Sequence, residues 1–222
     1  MHIFTNINNI KEMFIMKCFV EIDCPELDII QKEVIQYLTD YTKLLTHKPD
    51  SPWNIIENTL EFAQQCPNVF KFCRKHQLVP RDVSFVVSHD QTSGLPIHVG
   101  GWPLVVKMNF PIMNTQGNET RWYNISREIM SELPKVTNEF GHTVRDVSMF
   151  DVKDLEVMAT CYMQKPVVFN STVPHDVYIA PGSKLPRIVM ALMFYQEKML
   201  REEYLEVRGP YDVREEDLPV LS

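Results

Sequence analysis

Glycine is scarce, with seven in 222 residues, and none of them sits in a phosphate-binding glycine-rich loop. Nucleotide binding through cradling backbone amides therefore has no support. The Gly-x-Ser-x-Gly elbow is missing as well, so abundant Ser and Asp do not add up to a nucleophile triad. Cysteine is sparse and odd in number: Cys18, Cys24, Cys66, Cys73 and Cys161, with no Cys-x2-Cys pair. That argues against a disulfide framework and a thiolate zinc site, and fits small buried hydrophobes in a reducing, cytoplasmic compartment. No basic block occurs in a chain of net charge -7, so a surface that tracks nucleic-acid phosphates is not expected. No apolar run is long enough to span a bilayer, and the start lacks the pattern of a signal peptide. Neither a membrane nor a secretory role is expected.

What is present is ordinary globular composition, 45% hydrophobic and 23% charged. The length suits one domain, residues 1–222, in three parts: a helical front over 1–79, a β-rich core over 80–195, and a charged helix or tail over 196–222. One or two short strands are expected around Met13–Ile22. Leu27, Ile30, Val34, Leu38, Tyr41 and Leu45 form one apolar helical face after Asp23-Cys-Pro25, running to about Lys48. Ser51-Pro52 starts a further helix through Phe62, and Cys66–His76 gives another with Phe70 and Cys73 inward. Strands follow from Pro80 onward, at Val83–Ser88, Val105–Phe110, Thr120–Ile125, Leu155–Tyr162, Val167–Phe169, Asp176–Ile179 and Arg187–Tyr195. Ser126–Phe140 reads as a helical or looped insertion, and Lys198–Val207 as a helix. Short strands with frequent prolines give an α+β fold whose β-rich body closes into a double-sheet jelly roll.

Two histidines bracket that body. His98 lies at a turn entering a strand, and His175 begins a later one. Neutral imidazole suits iron, zinc or copper. A β-roll brings sequence-distant strands together, which makes the pair a candidate metal site. Each histidine taken alone reads as well as a surface or hydrogen-bonded core residue. Lys107 and Arg187 interrupt otherwise apolar strands, Leu-Val-Val-Lys-Met-Asn-Phe and Arg-Ile-Val-Met-Ala-Leu-Met-Phe. A buried cation needs a partner, and a dicarboxylate cosubstrate would supply one, with arginine holding it bidentately. The alternative points Lys107 outward and leaves Arg187 at a strand end. Trp102, Trp122 and Tyr123 are candidates for a substrate mouth, or for core.

The ordered set His98-Val-Gly100, Lys107, Asn109, Val173-Pro-His-Asp-Val177 and Arg187-Ile-Val resembles the aspartyl/asparaginyl β-hydroxylase branch of the Fe(II)/2-oxoglutarate oxygenases. Asn-Phe-Pro-Ile112 and Glu119-Thr-Arg-Trp-Tyr123 are similar to segments of small phage and bacterial members. The resemblance covers roughly residues 80–195. It implies a double-stranded β-helix of the cupin kind, Fe(II) on His98 and His175, and 2-oxoglutarate anchored by Arg187 with Lys107 and Asn109. It implies an oxygenase that hydroxylates a small molecule or a protein side chain. Gly100 stands where many relatives carry a metal carboxylate. In this branch water fills that position, and in halogenating relatives a halide does. Lys107 stands in place of a more usual arginine. Two other readings remain open: a non-catalytic β-roll module for binding or assembly, and another metal-dependent β-roll enzyme, such as an isomerase, that ignores 2-oxoglutarate.

Overall fold

The computed structural model describes residues 18–40, 53–55, 59–76, 78, 80–90, 94–100, 106–137 and 143–194. Two antiparallel sheets make the body. The larger has six strands in the order β1-β9-β4-β11-β3-β2. These are β1 (Phe19–Glu21), β2 (Trp53–Ile55), β3 (Pro80–Ser88), β4 (Val106–Met113), β9 (Val167–Asn170) and β11 (Arg187–Phe194). The smaller sheet is β10-β5-β8, from β5 (Glu119–Tyr123), β8 (Val157–Cys161) and β10 (His175–Tyr178). A two-stranded ribbon, β6 (Lys135–Thr137) with β7 (Thr143–Arg145), lies between β5 and β8 in the chain. Mostly antiparallel sheet with few helices is thus the architecture.

Strand alternation decides what each face of the large sheet does. Val83, Phe85 and Val87 of β3, Met108, Phe110 and Ile112 of β4, and Ile188, Met190 and Leu192 of β11 all enter one core. The helices α1 (Leu27–Asp40), α2 (Thr59–Gln65) and α3 (Pro67–Lys75) cover that face through Ile30, Val34, Phe62, Val69 and Phe72. Pro67 fits the first turn of α3, where its missing N–H costs nothing. Because side chains alternate, the next residue along each strand faces the other way. Val86, Val189, Val167 and Phe169 therefore meet Trp122 and Cys161 of the small sheet in a second core.

Several expectations shift. Strand β2 occupies Trp53–Ile55, where a helix is expected, and helix α2 begins only at Thr59. The front of the chain consequently supplies strands β1 and β2 to the two edges of the large sheet as well as helices. In α3, Val69, Phe72 and Cys73 are buried while Phe70 is half-buried. The insertion is a helix, α4 (Arg127–Glu132), capped by the Ser126 hydroxyl, followed by the β6–β7 ribbon. The expected early strand around Met13–Ile22 is present as β1 (Phe19–Glu21). Residues 1–17, 41–48 and 195–222 lie outside the described residues, and with them the start of that stretch, the end of the first helical face and the tail helix. No helix of the described residues is long and apolar enough to cross a membrane.

Candidate metal centre

His98 and His175 sit directly opposite each other in an antiparallel bridge. The His98 N–H donates to the His175 carbonyl at 2.9 Å, and the His175 N–H returns the bond at 3.0 Å. Residues opposed in this way project to the same side, and the two imidazole centroids are 4.2 Å apart with planes at 53°. The segment 94–100 runs along the outer edge of β10 as an added strand. Val177 donates to the Leu95 carbonyl at 3.0 Å and Gly100 to the Ser171 carbonyl at 2.5 Å.

The two rings are oriented alike. His98 Nδ1 is 2.8 Å from the Pro96 carbonyl, and His175 Nδ1 is 2.7 Å from the Val173 carbonyl. A carbonyl only accepts, so each Nδ1 carries the proton and each Nε2 keeps its lone pair. Backbone carbonyls behind ligating histidines fix tautomer and direction in this way in metal sites. Burial pushes His98 down to about 4, with Lys107 also opposing its charge, and holds His175 well below the usual imidazole range, helped by His98 and Lys107. Both rings are neutral at pH 7. His175 is packed by Phe169, 5.4 Å away and near-perpendicular, and by Trp122 at 6.3 Å.

The cleft between the sheets gathers His98, His175, Lys107, Asn109 and Arg187, five candidates spread over 90 residues of sequence. The cleft is narrow and partly open to solvent. Alternation is what aims the cations: Lys107 and Asn109 flank Met108, and Arg187 precedes Ile188, both of which point into the helix-side core. Lys107 stands opposite Phe169 on β9, while Arg187 stands opposite Ser88 at the far end of β11. Lys107 is therefore the cation at the histidine end, close enough to disfavour charge on both imidazoles. Burial lowers Lys107 to about 8 and Arg187 to about 10.

Arg187 is 2% exposed, and its Nε and Nη1 have no hydrogen-bond partner among the described residues. Asn109 Oδ1 and Thr120 Oγ1 are likewise buried and unpartnered. Among the described residues no acidic side chain lines the cleft. Asp176, next to His175, points to the opposite face of β10. There its carboxylate accepts from Arg121 Nε at 3.0 Å, from Arg121 Nη2, and from the Tyr123 hydroxyl at 2.8 Å. Among the described residues no three His, Cys, Asp or Glu side chains converge as a metal-binding group. The donor set thus fits a metal held by two imidazoles whose other positions are open to a small ligand. The unpartnered guanidinium fits that ligand's carboxylate.

The aromatic candidates fall elsewhere. Tyr123 faces away from the cleft towards Asp176, and Trp122 is fully buried, stacked on Phe19 at 4.9 Å behind His175. Neither lines the cleft, and Trp102 lies outside the described residues. Thr120, Phe169 and Met163 do line it and were not among the sequence candidates. Thr120 was findable from its parity with Trp122 on β5. Met163 was not, because it enters the cleft from a left-handed backbone, φ 45, that pattern does not announce in a methionine.

Fold and site together define an antiparallel two-sheet protein with a cationic, histidine-bearing cleft between the sheets. No family model matches the chain, and no curated protein matches it either. Among solved structures it is similar to the epimerase SnoN in complex with Fe3+, alpha ketoglutarate and nogalamycin RO, at TM-score 0.47 and 10% identity, covering 80% of this chain and 78% of that one. AviO1 from Streptomyces viridochromogenes Tue57 gives TM-score 0.40 and 12% identity over 82% of this chain and 92% of that one. EvdMO1 gives TM-score 0.41 and 14% identity over 82% of this chain, which spans about half, 48%, of EvdMO1. Likeness at these scores carries no argument about the chemistry of the cleft.

Proposed function

We propose that the chain is an oxygenase dependent on Fe(II) and 2-oxoglutarate, with His98 and His175 as the iron ligands. The observation that carries this reading is Arg187: a buried guanidinium with two nitrogens unpartnered among the described residues, in the same cleft as two imidazoles whose Nε2 lone pairs are left free by the carbonyls at Nδ1. An uncompensated buried charge costs several kcal/mol, on the order of 3–5 when its partner is removed. A dicarboxylate restores the missing partner. Bound iron with 2-oxoglutarate supplies activation of O2 and oxidation of a C–H bond, the cosubstrate losing CO2 to become succinate.

The residues of the chain do the positioning. His98 and His175 present Nε2 because Pro96 and Val173 occupy Nδ1. Arg187 takes the far carboxylate of the cosubstrate, and Lys107 stands by the carboxylate nearer the histidines, with Asn109 on the same strand face. Thr120 offers a hydroxyl to the bound anion. Leu95, Phe169, Val177 and Val189 exclude water from the space around it. No side-chain base is required. The motif order that resembles the aspartyl/asparaginyl β-hydroxylase branch supports the same assignment.

Anaerobic addition of Fe(II), then 2-oxoglutarate, to purified protein tests the reading by visible absorption. A metal-to-ligand charge-transfer band that needs both additions is the expected result. Metal retained without a band would favour another metal-dependent enzyme. The absence of a third protein ligand among the described residues favours a second reading, a metal-free module that binds a dicarboxylate through Arg187 and Lys107. In that case calorimetry would show 2-oxoglutarate binding unchanged by a chelator.

A further inference from the structure

The segment 94–100 belongs to no sheet of its own, yet His98 depends on it. Alternation sends Ile97 and Val99, 7% exposed each, to the side opposite His98, into a third core. That core is built by the insertion between β5 and β8: Met130 and Leu133 of α4 and its end, and Val147 after β7, closing on Tyr123 and Ile125. The insertion is itself stitched together. Arg145 Nη1 donates to the Leu133 carbonyl at 2.6 Å, and the Asp146 N–H to the Pro134 carbonyl at 2.9 Å. His175, by contrast, stands in a regular strand inside the second core.

We infer that residues 126–137 and 143–147 form a positioning element for His98: Met130 and Val147 clamp Ile97 and Val99, and so hold one imidazole against the other. The consequence for metal rests on the reading above; the clamp itself does not. The segment is bound by backbone hydrogen bonds to β10 at Leu95 and His98, and at Gly100 to Ser171 in the turn before β10. An added edge strand with so few bonds is held in place mainly by what its side chains bury.

The test compares Met130→Ala, in the third core, with Phe72→Ala, in the helix-side core, at equal distance below their melting temperatures. Val147→Ala serves as a milder second variant and Met130→Leu as the conservative rescue. Amide exchange at His98 and Gly100 is read in each full-length protein, together with affinity for cobalt(II) added alone. Expected for Met130→Ala and Val147→Ala are faster exchange at both amides and cobalt binding weakened about tenfold or more, restored in Met130→Leu. Phe72→Ala changes neither. Equal exchange in Met130→Ala and Phe72→Ala overturns the clamp. Wild-type protein that binds no cobalt overturns the metal reading, and exchange then decides the clamp alone.

Discussion

The two faces of β3, β4 and β11 are built from the same three strands, one residue out of step, and they are finished differently. The helix side is closed by Val83, Phe85, Val87, Met108, Phe110, Ile112, Ile188, Met190 and Leu192. The cleft side carries Ser84, Ser88, Lys107, Asn109 and Arg187 among its valines. Among their described residues these three strands hold four buried side-chain atoms without a partner: Ser84 Oγ, Asn109 Oδ1, and Nε and Nη1 of Arg187. All four are on the cleft side. A fold that satisfies one face with hydrocarbon and leaves unpaired donors and acceptors on the other concentrates its unmet polar demand where a ligand enters.

That contrast can be broken at the helix side first. Met190→Arg puts on the closed face a cation with no polar ligand to meet it. The expected outcome is loss of the folded state, a cost above about 4 kcal/mol, seen as missing cooperative unfolding by circular dichroism. Phe110→Ala, on the same face, leaves a cavity beside Phe72 and costs about 3–5 kcal/mol, measured as a lowered urea midpoint. Arg187→Leu makes the cleft side resemble the helix side. It should weaken 2-oxoglutarate binding by about a hundredfold in calorimetry while the apo protein gains about 1–3 kcal/mol, because an apolar residue replaces an uncompensated buried charge. A loss of stability instead would show that Arg187 has an internal partner.

The histidines predict a pH dependence. Folding lowers His98 from 6.5 to about 4 and holds His175 well below the usual imidazole range, so the unfolded chain binds more protons between pH 6.5 and about 4. Stability is therefore full above about pH 6.5 and falls as pH drops towards 4, checked by urea unfolding of the apo protein across that range. His98→Gln should flatten part of the slope. The smallest expected effect is at Ser84, whose buried hydroxyl is unpartnered: Ser84→Ala should stabilise by about 1 kcal/mol in the same assay.

The cleft was legible where alternation carried it. Lys107, Asn109 and Arg187 declare themselves because charge or amide interrupts strands whose neighbours are apolar, and period two then fixes the side they face. Helix α1 and most strands were legible for the same reason. Strand β2 was not: Trp53–Ile55 has too few residues to show a period, and the Ser51-Pro52 pair before it reads as a helix start. Tyr123 went astray because it is out of step with Thr120 and Trp122, so it faces Asp176 across the outer surface of β5 and β10. The insertion was ambiguous because its apolar residues, Met130, Leu133 and Val147, only make sense against Ile97 and Val99, which are far away in sequence.

Gly94 shows how far the site's demands extend. A Cβ at this residue would stand 2.4 Å from the carbonyl oxygen of Val177, a backbone atom in β10 that cannot swing aside. Every side chain except hydrogen would push the added strand off its neighbour just before His98 comes into place. In a saturation library selected for ligand capture, position 94 would score as strictly as the histidines, although nothing on it could ever touch the ligand.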